Sequence, residues 1–250
     1  MTLLKTKDPG WRTLYRVGAI AALLAVFVFR RNLGAELALL GNFGIFDGLP
    51  TTPLINACDW FNLLQDNRLI GLTLLNFFDL VEYALLGVVF LALYVALREA
   101  HQSAMLLATT AGLIGITVYF ASNQAFAMLA LSKRFSDTIN HAQRSTYLAA
   151  GEALLATNNP NSLYQGTDIY VSLFLVLLAG LIISKVMLQS DVFSKATAIT
   201  RILANGIGLC YFIALAFAPV IFWIPHPISA PFRVVWYFLI ALRLFKLART

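Results

Sequence analysis

The chain has 250 residues, 60% of them hydrophobic and only 12% charged, with a mean hydropathy of +0.78. Its formal charge of +6 is spread over the ends of apolar segments rather than gathered in one basic patch interleaved with aromatics, which excludes nucleic acid as a partner. Stretches such as Val171–Ile183 carry no charge on any face, so a water-soluble core is excluded and the lipid bilayer is the expected surrounding.

A helix crossing a hydrocarbon core about 30 Å thick needs about 20 apolar residues, and lipid offers its backbone amides no other partner than the helix itself. Six such runs are legible: Leu14–Phe29, Ile70–Leu97, Ser103–Leu131, Thr167–Leu188, Ala198–Trp223 and Ile228–Leu247. The first follows Lys5, Lys7, Arg12 and Arg16 in the manner of a signal peptide. It ends in Phe29-Arg30-Arg31 and not at a small-residue cleavage site, so it reads as a retained anchor whose last arginines snorkel to the surface. Asn32–Gly48 is apolar but interrupted by Gly34, Gly41 and Gly44, and reads as either re-entrant or surface-lying. Thr51-Thr52-Pro53 then marks a helix start, with a hydroxyl cap and proline in the first turn, after which Ala57, Trp60, Phe61 and Leu64 share one face of an interfacial helix. Ser136 to Ala156 is Ala-rich and forms a second such helix, closed by the turn signal Asn158-Asn159-Pro160. The expectation is an all-α, polytopic integral membrane helix bundle forming a single domain over residues 1–250, with six transmembrane helices plus two outer interfacial helices. No internal repeat is evident.

Lys and Arg counts set the orientation. Across six spans, eleven basic residues fall on the side of the N-terminus and seven on the other, over longer loops, so both termini are expected in the cytoplasm of a cell whose cytoplasmic membrane holds the chain. Trp60, Trp223 and Trp236 then fall at the outer boundary and Trp11 at the inner one, as in an aromatic belt. Cys58 lies in a loop and Cys210 inside a span, at depths that disfavour a disulfide.

The second span runs from Asn67-Arg68-Leu69 through Asn76-Phe77-Phe78-Asp79-Leu80-Val81-Glu82 to Leu93-Tyr94. Further on, Val186-Met187-Leu188 precedes Val192-Phe193-Ser194-Lys195-Ala196-Thr197-Ala198 and Ile202-Leu203-Ala204. In these strings and in layout over most of its length the chain resembles the domain of unknown function 4386 family. That resemblance implies a prokaryotic multi-pass membrane protein with no established activity, and carries over no functional residue. The loop holding Thr138–Gln143 departs from the family pattern.

Ionisable groups within spans are the best pointers to function, because each costs several kcal/mol unless paired or wetted. Asn76, Asp79 and Glu82 recur at three-residue spacing and are expected to stack on one helical face. The short link Arg98–Gln102 returns the chain antiparallel, placing Asp79 level with Ala121 and Glu82 with Val118. Gly112, Gly115, Tyr119 and Asn123 form a facing stripe, the glycines allowing close approach and the other two offering hydrogen bonds. Asp168 and Arg233 open the fourth and sixth spans at comparable depth. The candidate ligand-binding set is therefore Asn76, Asp79, Glu82, Tyr119, Asn123, Asp168 and Arg233, an outer-half polar seam suited to a cation, a proton or a small polar solute.

The competing reading is structural: the acids mark where helices leave the bilayer, or one of them makes a fixed pair with Arg233. No catalytic residue, metal site or cofactor is expected. His101, His141 and His226 lack ligand spacing, and nucleophile, phosphate-cradle and zinc-protease motifs are absent from the sequence. Three roles fit: binding or translocation of a small solute or ion, an accessory subunit docked on a membrane-protein partner, or an intramembrane enzyme acting on a lipid-soluble substrate. In the last, Asp79 and Glu82 on one helix lack the opposed geometry of a carboxylate dyad.

Overall fold

The computed structural model describes residues 9–40, 50, 54–160, 162, 164–218, 220–221 and 224–249. Its elements are α1 (Pro9–Leu40), α2 (Ala57–Asp66), α3 (Arg68–Leu74), α4 (Phe77–Leu97), α5 (Gln102–Ser122), α6 (Ala125–Asp137), α7 (His141–Asn158), α8 (Thr167–Leu188), α9 (Lys195–Phe217) and α10 (Pro225–Leu247). Among the described residues there is no strand. Within those described residues, six helical stretches are long and apolar enough to cross a membrane: Gly10–Phe29, Phe77–Leu97, Gln102–Asp137, Thr167–Leu188, Lys195–Phe217 and Pro225–Leu247. The chain is an all-α, multi-pass membrane protein.

Contacts cluster into two compact units. One is drawn from Met1–Phe27, Glu82–Ile116 and Phe174–Thr250, the other from Val28–Val81 and Thr117–Leu173, so the division falls within α1, α4, α5 and α8. The first unit holds the greater part of the membrane-crossing helices. Lipid gives no hydrophobic drive to bring such helices together, so they associate where small residues let backbones approach. Gly18 of α1 lies so close to α4 that an added Cβ would stand 2.5 Å from that of Ala92. Gly112 of α5 seats the Phe90 ring of α4, and Gly208 of α9 receives Leu177 of α8. Around these contacts Ala19, Ala22 and Ala25 of α1 and Trp236, Tyr237 and Ile240 of α10 are fully buried.

The second unit packs α2 on α6 and α7. Asn56 and Asp59 form a capping box at the start of α2. A third acceptor, Glu152 of α7, takes the Ala57 N–H at 2.7 Å. Trp60, Phe61 and Leu64 are buried with Met128, Phe135 and Leu155. Gly151 makes the α2–α7 contact possible, since a Cβ there would lie 2.7 Å from Phe61 Cζ. Arg144 stacks 4.2 Å from the centre of the Phe135 ring.

Several expectations change. The face Ala57, Trp60, Phe61 and Leu64 exists, but protein rather than the bilayer surface covers it, because α6 and α7 supply a matching apolar wall. Trp60 and Trp236 are 0% exposed, hence core residues and not belt residues. Trp11 is half-buried under Arg98, whose guanidinium carbon stands 5.2 Å from its ring. The described part of the first inter-span helix begins at Ala57, whereas Thr51-Thr52-Pro53, Gly41–Gly48, Pro219 and Trp223 lie outside the described residues. Asn32–Leu40 continues α1 as helix.

The expected spans Ile70–Leu97 and Ser103–Leu131 are each interrupted. The first breaks at Asn76, which adopts the left-handed φ of 60° that asparagine tolerates better than most side chains, and the second breaks at Asn123-Gln124.

Candidate functional site

The seven sequence-predicted residues divide between the units: Asn76, Asp79, Tyr119, Asn123 and Asp168 in the second, Glu82 and Arg233 in the first. Asn76 does not stack on the face of α4, contrary to the spacing argument, because it sits in the break that precedes that helix. Its contribution is a backbone carbonyl. The Asn123 side-chain amide donates to it at 3.2 Å while the Asn123 carbonyl oxygen, Oδ1, accepts from the Ala125 N–H at 3.0 Å. One asparagine thereby caps α6 and ties the two helix interruptions together, satisfying backbone groups that lipid cannot.

Beside this tie the Tyr119 hydroxyl donates to Asp79 Oδ2 at 3.0 Å. Asp168, in the first turn of α8, accepts from the Asn158 amide at 3.3 Å. The same amide reaches the Ser122 carbonyl at 3.4 Å, and the Asn158 Oδ1 takes the Gly166 N–H at 2.7 Å. The second unit thus brings four of its candidates into direct pairs and joins Asp168 to the end of α5 through Asn158, a residue that sequence reasoning had taken only as a turn signal.

In the first unit Glu82 is 5% exposed. Tyr237 of α10 donates to Glu82 Oε1 at 3.2 Å, and an Arg233 guanidinium nitrogen stands 3.9 Å from the same oxygen, an ion pair longer than a hydrogen bond. Spacing within α10 explains the convergence, since Arg233 and Tyr237 are four apart and share a face. One further charge is present. Arg201 of α9, counted from the sequence as a boundary charge, is 2% exposed, with its guanidinium carbon 4.1 Å from the centre of the Trp236 ring. Asn205, one helical turn on, is also buried and donates to the Leu177 carbonyl at 3.0 Å. Arg201, Asn205, Trp236 and Tyr237 were missed. The available signal was an i, i+4 polar pair inside the fifth run and an aromatic pair following Arg233.

At the other end of α10 the Arg243 Nε donates to the Val192 carbonyl, so Arg243 marks a loop and not the polar cluster. Among the described residues no group of three His, Cys, Asp or Glu side chains is arranged to hold a metal ion. The sequence matches no protein-family model, and neither the curated proteins nor the solved structures yield a match.

Proposed function

We propose that the chain is a multi-pass protein of the cytoplasmic membrane, both ends cytoplasmic, that binds or translocates a small solute or ion at polar side chains inside its spans. We place it, on the resemblance of its second span, with the domain of unknown function 4386 family. The observation that carries the functional reading is Glu82: a carboxylate 5% exposed within a membrane-crossing helix, whose guanidinium neighbour stands at 3.9 Å, beyond hydrogen-bond length, so that a polar ligand displacing Arg233 gains a buried acceptor. Asp79 and Tyr119 offer a second hydrogen-bonding pair of the same kind. Acid–base chemistry has less support, because each of these carboxylates already accepts a tyrosine hydroxyl.

Melting of the purified protein in detergent tests the reading, with sodium, potassium, glycine and urea as probes and gluconate as the only anion. At least one probe is expected to raise the wild-type Tm and to leave Glu82→Gln unmoved. A wild-type response in that variant removes Glu82 from the site.

A second reading, an accessory subunit docked on another membrane protein, is favoured by one observation. An apolar groove of about 340 Å³, lined by Ile213, Phe217, Ile221 and Ile224, lies where α9 ends and α10 begins, and Phe217 is 86% exposed. Co-purification of a stoichiometric membrane partner in mild detergent supports that role, and a well-behaved lone protein counts against it.

A further inference from the structure

Arg201 makes no ion pair or hydrogen bond among the described residues; what it has is the face of Trp236. A ring face attracts the guanidinium plane electrostatically but accepts none of its N–H groups, which point outward in that plane. Arg201 Nε is buried without an acceptor, and so is the indole Nε1 of Trp236 on which it stacks. Unmatched donors on a charged group inside a membrane bundle are the costly case, since neither water nor lipid compensates them.

Two carbonyls on the facing stretch of α8 are engaged. On α8, the Leu177 carbonyl takes the Asn205 amide and the Gly180 carbonyl takes the Ser184 hydroxyl at 2.7 Å. The electrostatic neighbours of Arg201 are Tyr237, Arg233, Glu82 and Tyr83, and the one carboxylate among them, Glu82, already receives Tyr237 and faces Arg233. Space for the guanidinium is nevertheless built in. At Gly180 an added Cβ would stand 2.9 Å from Arg201 Nε and would collide with the Asn205 amide. A glycine, an asparagine turned aside and a buried tryptophan thus frame a cation whose buried Nε has nothing to donate to.

We propose that Arg201, backed by Trp236, binds a small monovalent anion within the α8–α9–α10 part of the bundle. The side-on edge of a guanidinium suits a carboxylate, and its paired N–H donors can also converge on a halide. An anion at Arg201 requires no solute at Glu82, so the site goes beyond the solute reading and is tested apart from it.

The test uses the full chain in a non-ionic detergent, with sodium gluconate replaced stepwise by sodium bromide or sodium acetate at constant ionic strength. Wild type is expected to show a saturable rise in Tm with at least one of the two salts. Bromide alone identifies a halide site, and acetate alone a carboxylate site. The rise should vanish in Arg201→Gln, persist in Glu82→Gln, and shift to about tenfold higher concentration in Arg201→Lys, which keeps the charge and loses the planar fork. Bromide quenching of tryptophan emission gives a second readout that needs no Arg201 variant: a saturating component in wild type, absent from Trp236→Phe. A Tm indifferent to both salts, an Arg201→Gln response equal to wild type, or a bromide-induced rise in Tm unaccompanied by a saturating quenching component each overturns the anion site. Loss of the response to the cation and solute probes in Glu82→Gln with the anion response intact separates the two proposals.

Discussion

Asn76 carries two roles in different atoms. Its backbone holds a φ of 60°, while its carbonyl receives the Asn123 amide. Substitution at 76 therefore tests the backbone alone, because the carbonyl survives any side chain. Asn76→Gly is expected to leave the Tm within a degree or two of wild type, and Asn76→Val to cost about 2 kcal/mol, since a β-branched side chain opposes the left-handed region. Equal melting of the two variants would show that the break is not held in that conformation. Among single residues, the Asp79–Tyr119 pair was legible, because a five-residue link sets the register of two antiparallel helices. The conformation of Asn76 was not, since an asparagine in an apolar run fits a helix interior as readily as a break. Arg201 was misread for a related reason: a charge count uses distance along the chain, and being six residues into α9 looks like a boundary until the ring of Trp236 closes over it.

Helix α2 shows what periodicity conveys and what it leaves out. The spacing of Ala57, Trp60, Phe61 and Leu64 specified the buried face correctly. What covers that face depended on α6 and α7, joined through Phe61, tilted 47° against the Phe135 ring at 5.5 Å, and through Gly151, and no pattern within α2 encodes either. Gly151→Ala is accordingly expected to destabilise the second unit by about 1–3 kcal/mol, as overpacking does in a close-packed core. Amide exchange in α2 should accelerate in this variant while that of α9 and α10 is unchanged. Uniform acceleration would mean that the two units do not melt separately.

For the molecule as a whole, membrane-crossing length was readable because lipid enforces it run by run, whereas the grouping of contacts into two units was not, since the division cuts through individual helices. The proposed orientation has a native reporter. Cys58, half-buried on α2 between the first and second spans, is expected to react with a membrane-impermeant maleimide added outside intact cells, and Cys58→Ser should abolish the label. Labelling that appears only after lysis would reverse the orientation.

Arg201 also bears on how the chain enters its membrane. It precedes Trp236 by some 35 residues, so α9 meets the translocon while the ring that will cover its guanidinium is still inside the ribosomal tunnel. An uncovered arginine costs a lone inserting helix up to about 3 kcal/mol, enough to keep it waiting at the lateral gate until α10 follows. Cys210, on α9, should stay open to an aqueous maleimide in chains ending at residue 221 and become protected in chains reaching residue 247. Trp236→Ala should delay membrane integration of the complete chain.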